Sequence, residues 1–208
     1  NIALGQGGSA YSTSSSDAIK PPSGSVFVAI TMLEDTIFDA SAGLVASDAN
    51  GYINPQYTIE AQDLASSGWN PKDTSSKLTL SFWAKSSVAQ TFYSYLYVND
   101  GGGDSYSFSY TLAANTWKKI EQVIPGHADL AVDNNAEAGM TIYLPLFLGT
   151  DRTTSGHTLN QWQSWNSSNR TPDQTTTWYT TNDATWHMTG IQLEVGSVAT
   201  PFEHRSYA

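Results

Sequence analysis

Apolar side chains recur at every second position over several segments of this 208-residue chain. The clearest case is residues 77–85, whose apolar members are Leu78, Leu80, Phe82 and Ala84. Residues 91–98 and 188–195 alternate in the same way. A period of two puts successive side chains on opposite faces of a β-strand, and no segment sustains the 3.6-residue period of a helix. The pattern predicts an all-β chain of two packed antiparallel sheets, spanning roughly residues 57–200, without a helix longer than about three turns.

Two of these segments supply the predicted core. Leu78, Leu80 and Phe82 share one face of the first segment, and Ile191 and Leu193 share one face of the last. We expect both faces to point inward, because each opposite face is more polar. On an unbroken last strand the alternation places residue 188 on the face opposite to Ile191.

The first 56 residues divide into two predicted segments. Residues 1–25 are rich in Gly, Ser, Ala and Thr and end with a double proline, which predicts an extended arm or linker. Residues 26–56 begin with an apolar run at 26–33, which predicts a strand that is covered on both faces. Either the chain's own sandwich or a neighbouring copy covers it. We favour the neighbouring copy, because a leading arm suits exchange between subunits.

Composition and charge exclude several classes of function. Acidic residues outnumber basic ones by 19 to 9, which gives a net charge of −10 and disfavours binding to nucleic acid. The chain has no cysteine, so it has neither disulfides nor thiolate metal sites. No apolar stretch reaches the 18 or so residues of a membrane-spanning helix, and membrane insertion is not expected. No signal peptide is visible, and the first residue is Asn1 rather than Met, which indicates a processed start or the edge of a fragment.

The terminus and a short upstream segment resemble known proteins. The strings TGIQLEVG and ATPFEHRSY (residues 189–196 and 199–207) resemble the end of structural proteins of marine tailed bacteriophages. The pattern VAIT.LEDT.FD, which starts at residue 28, resembles a segment of the same proteins. The order of motifs over residues 57–207 is similar to that of their jelly-roll domain, which looks like a carbohydrate-binding module.

This resemblance implies an all-β, antiparallel jelly-roll β-sandwich at residues 57–208, preceded by the extended N-terminal arm. It further implies a non-enzymatic structural protein at the virion surface: a tail fibre, a knob or a capsid decoration. The implied partners are other virion proteins, further copies of the chain in a homo-oligomer, and host surface glycans. The alternatives are a cellular lectin-like module or enzyme accessory domain, and a fragment of a glycan-depolymerising tailspike.

No catalytic motif supports an enzyme. The sequence has no nucleophile elbow, no HExxH motif, no glycine-rich phosphate loop and no cysteine nucleophile. Its four histidines are isolated from one another. Carboxylate pairs for glycoside hydrolysis need a separation of roughly 5–9 Å, and loop acids such as Asp133 and Glu137 are candidates only because they are present.

A glycine-rich segment between two predicted strands has two interpretations. Asn99, Asp100 and Asp104 flank three consecutive glycines, and such oxygen ligands on a flexible loop can hold a calcium ion. Asn-Asp-Gly is also an ordinary hairpin turn, which is the interpretation that we favour. A structural calcium ion is therefore the only cofactor under consideration.

The polar stretch from residue 150 to 186 is the candidate binding segment. Aromatic rings stack on the apolar faces of sugars, and the side chains of Asn, Gln and Asp reach their hydroxyls. Alternatively, the tryptophans pack the segment against the sandwich or against a neighbouring subunit, and we favour packing for most of them. The candidate sugar-binding residues are Trp162, Trp165, Trp178, Asn166 and Arg170.

Overall fold

The computed structural model describes residues 49–202 in full and, before them, the backbone of three strands at residues 3–6, 27–29 and 36–40. Within this part of the chain, the strands in sequence order are β1 (Ala3–Gln6), β2 (Phe27–Ala29), β3 (Thr36–Ala40), β4 (Tyr52–Glu60), β5 (Lys77–Ser86), β6 (Gln90–Val98), β7 (Asp104–Leu112), β8 (Lys118–Pro125), β9 (Ala138–Tyr143), β10 (Phe147–Leu148), β11 (Trp162–Ser164) and β12 (Ala184–Val195).

Helical structure in the described part of the chain consists of three short elements. Helix α1 (Ala61–Ser66) follows β4, a 3₁₀ turn (Thr150–Arg152) follows β10, and α2 (Thr177–Thr180) precedes β12. The predicted absence of helices longer than about three turns is confirmed for the described residues. None of these helices has the length and hydropathy required to cross a membrane.

The strands form two antiparallel sheets that pack against each other. Sheet A has seven strands in the order β1-β4-β9-β6-β7-β11, and β10 pairs with β4 beyond the end of β9. Sheet B has five strands in the order β2-β12-β5-β8, and β3 pairs with β12 beyond the end of β2. The chain passes repeatedly from one sheet to the other, for example from β4 to β5 to β6. The predicted all-β jelly-roll sandwich is confirmed.

The core lies between the sheets and contains the side chains that the alternation placed there. Leu78, Leu80 and Phe82 of β5 are buried, as are Ile191 and Leu193 of β12. Sheet A contributes the facing apolar side chains, which include Phe92, Leu96, Phe108, Leu112, Met140 and Ile142. The inward orientation predicted for these five residues is confirmed.

A β-bulge at Gly190 corrects one detail of the predicted alternation. Thr189 pairs with Trp83 and Gln192 pairs with Ser81, so two residues of β12 lie opposite one residue of β5. Gly190 has a φ of 60°, the left-handed conformation that glycine adopts at little cost. The extra residue shifts the alternation by one position. Met188 and Ile191 therefore both point into the core, although an unbroken strand would place them on opposite faces.

Strand β4 runs from Tyr52 to Glu60 and therefore crosses the predicted segment boundary at residues 56 and 57. Within residues 26–56, β2 and β3 both pair with β12 of the same chain. This intrachain pairing is the alternative that the sequence analysis did not favour. Within the predicted arm, β1 pairs with β4. The double proline and residues 30–35 lie outside the described residues, and the homo-oligomer stays a prediction.

The chain after β12 folds back over the outer face of sheet B. Gln192 and Glu194 lie on that face and are buried. The Oγ1 of Thr200 accepts a 3.2 Å hydrogen bond from the side-chain amide of Gln192. The backbone N–H of Thr200 donates a 3.0 Å bond to the Glu194 carboxylate. Residues 203–208, which hold the last part of the terminal motif, lie outside the described residues.

Candidate functional site

The outer face of sheet A carries a row of aromatic side chains. In β6, Phe92 and Leu96 point into the core, so the intervening Tyr95 and the following Tyr97 lie on the outer face. Strand β9 runs alongside and pairs Tyr143 with Tyr95. The two rings stack with their centroids 4.6 Å apart. The alternation that builds the core therefore also places tyrosines together on the opposite side of the sheet.

Trp165 extends this row from the next loop. It follows β11, and its backbone N–H donates a 3.0 Å hydrogen bond to the carbonyl of Gly103 in the β6–β7 turn. Its ring centroid lies 4.9 Å from that of Tyr97 and 5.4 Å from that of Tyr95. A Cβ atom on Gly103 would lie 2.7 Å from the Tyr97 hydroxyl oxygen, so glycine permits the turn to approach this ring closely. Trp165 remains partly exposed.

Two arginines complete the site. The guanidinium carbon of Arg152 lies 4.5 Å from the centroid of the Tyr52 ring. That of Arg170 lies 5.9 Å from the same centroid and 5.3 Å from the Trp165 ring. Such cation–π contacts hold the planar guanidinium groups against the rings. We call the set Tyr52, Tyr95, Tyr97, Tyr143 and Trp165, together with the two arginines, the aromatic face.

Burial controls the protonation of the tyrosines in this face. Desolvation raises the pKa of Tyr95 well above its ordinary value, and nearby Arg170 opposes this shift only in part. Burial also raises the pKa of Tyr143, again against the influence of Arg170. At neutral pH both groups are therefore neutral phenols. They do not neutralise the positive charge of the arginines. Tyr95 is 0% exposed and supports the face from below, whereas Tyr143 is partly exposed.

Hydrogen bonds fix the loop that carries Trp165 and Arg170. His157 is buried, its Nδ1 lies 2.7 Å from the side-chain oxygen of Asn169, and its Nε2 lies 2.9 Å from the amide nitrogen of Gln163. We infer from this network that the imidazole carries its proton on Nδ1, which donates to Asn169, while its Nε2 accepts from Gln163. Ser107 of β7 also donates a 3.0 Å bond to the carbonyl of Arg170. The loop is thus held against sheet A in a defined position.

The structure places two of the predicted sugar-binding residues in the core instead. Trp162 is 7% exposed, packs on Tyr106, and donates its indole N–H to the carbonyl of Pro125 at 2.6 Å. Trp178 is 0% exposed, and its backbone N–H donates to the side-chain oxygen of Gln90 at 2.8 Å. Neither ring has a free face for a ligand. The packing interpretation holds for both residues.

The remaining predicted residues lie at the surface of this loop. Trp165 and Arg170 belong to the aromatic face, whereas Asn166 is exposed beside it and accepts a hydrogen bond from the Ser168 N–H at 2.9 Å. Sequence reasoning missed Tyr52, Tyr95, Tyr97, Tyr143 and Arg152. The alternating tyrosines of residues 93–97 opposite an apolar face were the available signal for an outward aromatic row.

The glycine-rich segment forms the turn between β6 and β7. Its three glycines have φ values of 68°, 103° and 85°, which side chains would strain. The carboxylate of Asp100 accepts a 2.9 Å bond from the Asp133 N–H, and the Asn99 oxygen accepts a 3.4 Å bond from Thr141. Asp104 opens β7. Among the described residues, no three histidine or acidic side chains converge on one point, so the calcium interpretation gains no support.

Comparison with known proteins gives structural neighbours of two kinds. No protein-family model matches the chain, and no curated protein matches it by sequence. Among solved structures, a "Family 16 Carbohydrate Binding Module-2" is similar at 9% identity and a TM-score of 0.36, over 83% of this chain and 88% of that one.

Two bacteriophage tail proteins are also similar. The tripod from the baseplate of bacteriophage Tuc2009 shows 14% identity and a TM-score of 0.38, over 81% of this chain and 48% of the tripod chain. The enzymatically active domain of tailspike protein 4 from bacteriophage CBA120 shows 12% identity and a TM-score of 0.36, over 77% of this chain and 18% of the tailspike chain. The assignment of the fold rests on the strand topology rather than on these likenesses.

Proposed function

We propose that this chain is a non-enzymatic structural protein on the virion surface of a tailed bacteriophage, where it contacts host glycans through the aromatic face. It serves as a tail fibre, a knob or a capsid decoration, assembled with other virion proteins. The resemblance of residues 189–207 to the end of marine phage structural proteins supports the virion assignment. The proposal includes the marine origin that this resemblance implies.

The arrangement of Trp165 and Tyr97 carries the glycan-binding part of the proposal. Their rings lie 4.9 Å apart at a tilt of 42°, and both remain partly exposed, Tyr97 on sheet A and Trp165 in the loop after β11. Sugar rings present apolar C–H faces that pack on such aromatic surfaces. Polar and charged groups at the same place orient the ligand. Sheet A holds the aromatic face in place before the ligand binds, which reduces the entropic cost of binding.

The non-enzymatic part rests on the sequence, which contains none of the catalytic motifs tested. Incubation with glycans and measurement of released reducing ends tests this part. Release above the background of a heat-denatured sample would contradict it.

A glycan array with a matched pair of tryptophan variants tests binding. Trp165→Ala removes an exposed ring of the aromatic face, and we expect the retention of this variant on the bound glycans to fall at least tenfold. Trp117→Ala is the control, because Trp117 is 37% exposed and lies near Lys85 and His187 of sheet B. Its retention should match that of the wild type. Absence of wild-type binding to every glycan, or an equal loss in both variants, would refute the proposed site.

Light scattering tests the homo-oligomer, and mass spectrometry of purified particles tests the virion location. We expect the full chain to have a mass of at least twice 22.5 kDa. Deletion of residues 1–33 should reduce the number of subunits if the leading segment joins them. A monomeric full-length chain would contradict the homo-oligomer without affecting the glycan site. Purified particles that lack the chain would contradict the virion location.

A further inference from the structure

We propose that the glycan bound by the aromatic face is acidic, and that Arg152 and Arg170 together bind its carboxylate or sulfate groups. This inference rests on the proposed glycan-binding function and specifies its ligand class. The two arginines are adjacent in space although they are separated in the sequence, and the described residues provide no acid to neutralise them. Their position, anchoring and lack of a counter-ion each support an anionic ligand.

Backbone pairing places the two arginines side by side. The N–H of Arg170 donates a 2.9 Å hydrogen bond to the carbonyl of Arg152. The next residues, Thr153 and Thr171, form a parallel bridge, and the N–H of Thr154 donates to the carbonyl of Thr171 at 3.1 Å. Both guanidinium groups then extend over the same Tyr52 ring. The fold thus concentrates two of the chain's three arginines at one point.

Each guanidinium group is anchored by its Nε and by a ring. The Nε of Arg152 donates a 2.8 Å bond to the carbonyl of Asn50, and that of Arg170 donates a 3.0 Å bond to the carbonyl of Ser167. The Arg170 side chain also interacts with the Tyr95 hydroxyl. Arginine has five N–H donors in a planar fork, so donors remain on both groups for a ligand. A fork held in this way matches the paired oxygens of a carboxylate or sulfate.

No acidic partner compensates these two charges within the described part of the chain. The contacts within 4 Å between acidic and basic groups there join Lys119 to Glu121 and His127 to Asp129. Asp151 precedes Arg152 but forms no such contact with it, and the Asp173 carboxylate accepts a bond from Thr153. In a chain with 19 acids and 9 bases, two neighbouring arginines that no acid pairs with among residues 49–202 indicate a site that an external anion completes.

The overall charge makes this inference specific to the site. A net charge of −10 repels polyanions, so nonspecific attraction of an acidic polysaccharide to the whole surface is not expected. Binding of such a polymer requires a local positive site. A neutral glycan needs only hydroxyl and amide partners and would gain little affinity from two charged guanidinium groups.

Affinity measurements with three polysaccharides test the inference, using the full chain at pH 7.5 and 150 mM NaCl. The probes are alginate, which carries carboxylates, carrageenan, which carries sulfates, and laminarin, which is neutral. We expect at least one acidic probe to bind tenfold or more tightly than laminarin. Comparison of alginate with carrageenan then identifies the anionic group. Raising NaCl to 500 mM should weaken this binding severalfold, because salt screens exposed charges.

Three single-charge variants provide the matched comparison. Arg152→Gln and Arg170→Gln should each reduce affinity for the acidic probe at least fivefold. The control Lys72→Gln removes one exposed positive charge elsewhere and should change affinity less than twofold. Arg170→Lys keeps the charge but loses the fork, so an intermediate affinity supports bidentate binding. Circular dichroism confirms that each variant is folded before its affinity is interpreted.

The outcomes separate this inference from the proposed function. Equal or tighter binding of laminarin, with loss in Trp165→Ala, would overturn the acidic ligand and leave the glycan site intact. Acidic-probe binding that is unchanged in both arginine-to-glutamine variants would also overturn it. Absence of binding to all three probes and to the glycan array would overturn both the glycan site and this inference.

Discussion

The Oγ1 of Thr200 donates a 2.6 Å hydrogen bond to the carboxylate of Glu194, six residues earlier in the chain. Glu194 lies on β12 and is buried, so this bond and the one from the Thr200 N–H provide donors that its carboxylate requires. Gln192 bonds to the same hydroxyl. The glutamine and glutamate of the string TGIQLEVG thus act as anchors for the threonine of ATPF, which gives the terminal motif a structural role.

Thr200→Val should destabilise the fold. The change removes the hydroxyl that serves both Gln192 and Glu194 and leaves a buried carboxylate one donor short, at a cost of roughly 1–3 kcal/mol. Urea denaturation measures the difference. Thr175→Val, at an exposed loop position, is the control and should stay within about 0.5 kcal/mol of the wild type. Equal stability of the two variants would show that the Thr200 hydroxyl contributes nothing to the free energy of unfolding.

Gly190→Ala should destabilise the sandwich by roughly 1–2 kcal/mol, because alanine is strained at a φ of 60°. A Cβ atom there would meet Trp83 and Phe202 no closer than 3.6 Å, so the cost comes from the backbone and not from a clash. Gly156→Ala is the control, since its Cβ meets nothing within 4 Å. It should be neutral or slightly stabilising. Denaturation curves that coincide for both variants would contradict the strained bulge.

The bulge at Gly190 is also a feature that the sequence did not predict. Strict alternation correctly assigned Leu80 and Leu193 to the core, because each strand obeys a period of two between irregularities. It misplaced Met188, because a glycine in a strand does not by itself show whether the chain bulges there. Pairing of β2 with β12 joins residues more than 150 positions apart, and no local pattern encodes that choice.

Leu80→Ala should cost roughly 2–5 kcal/mol of unfolding free energy. Leu80 is 0% exposed between the two sheets, so its truncation leaves a cavity that the surrounding strands fill only in part. Val198→Ala, at a side chain that is 74% exposed, should change stability by less than about 0.5 kcal/mol. Guanidinium titrations of both variants give the comparison. A loss below 0.5 kcal/mol for Leu80→Ala would place this residue outside the core.

Stability should fall above pH 10 because of buried tyrosines. Burial raises the pKa of Tyr110 above its ordinary value of 10.0, so the folded state favours the neutral phenol. Its contribution is fully present below pH 10 and is lost as the pH rises above that value, by up to about 1.4 kcal/mol per pH unit. Tyr110→Phe should therefore lose less stability between pH 9 and pH 11 than the wild type. Tyr93→Phe, a partly exposed tyrosine of sheet A, is the control. Parallel pH profiles for wild type and Tyr110→Phe would contradict the assignment.

The candidate site was less predictable than the fold. Composition identified the loop with Trp165 and Arg170 as a binding segment, because aromatic and polar residues are dense there. It could not separate Trp165, whose ring packs on the outer face of sheet A, from Trp162, whose ring is buried in the core. In the paired strands, Trp162 lies opposite inward-facing Tyr106, and that register is a tertiary property. Arg152 and Tyr52 join the site only through contacts between distant segments.

The central position of β12 in sheet B determines when this chain can finish folding. Strands β5 and β8 leave the ribosome early and can pair with each other, but β2 and β3 pair with β12, which is synthesised last among the described strands. Until residue 195 has emerged, sheet B is divided and the apolar side chains of sheet A lack part of their cover. Sheet B therefore cannot be completed before β12 is synthesised, and its folding depends on contacts between distant parts of the chain. A nascent chain that stops before residue 184 would expose apolar surface for chaperones to bind.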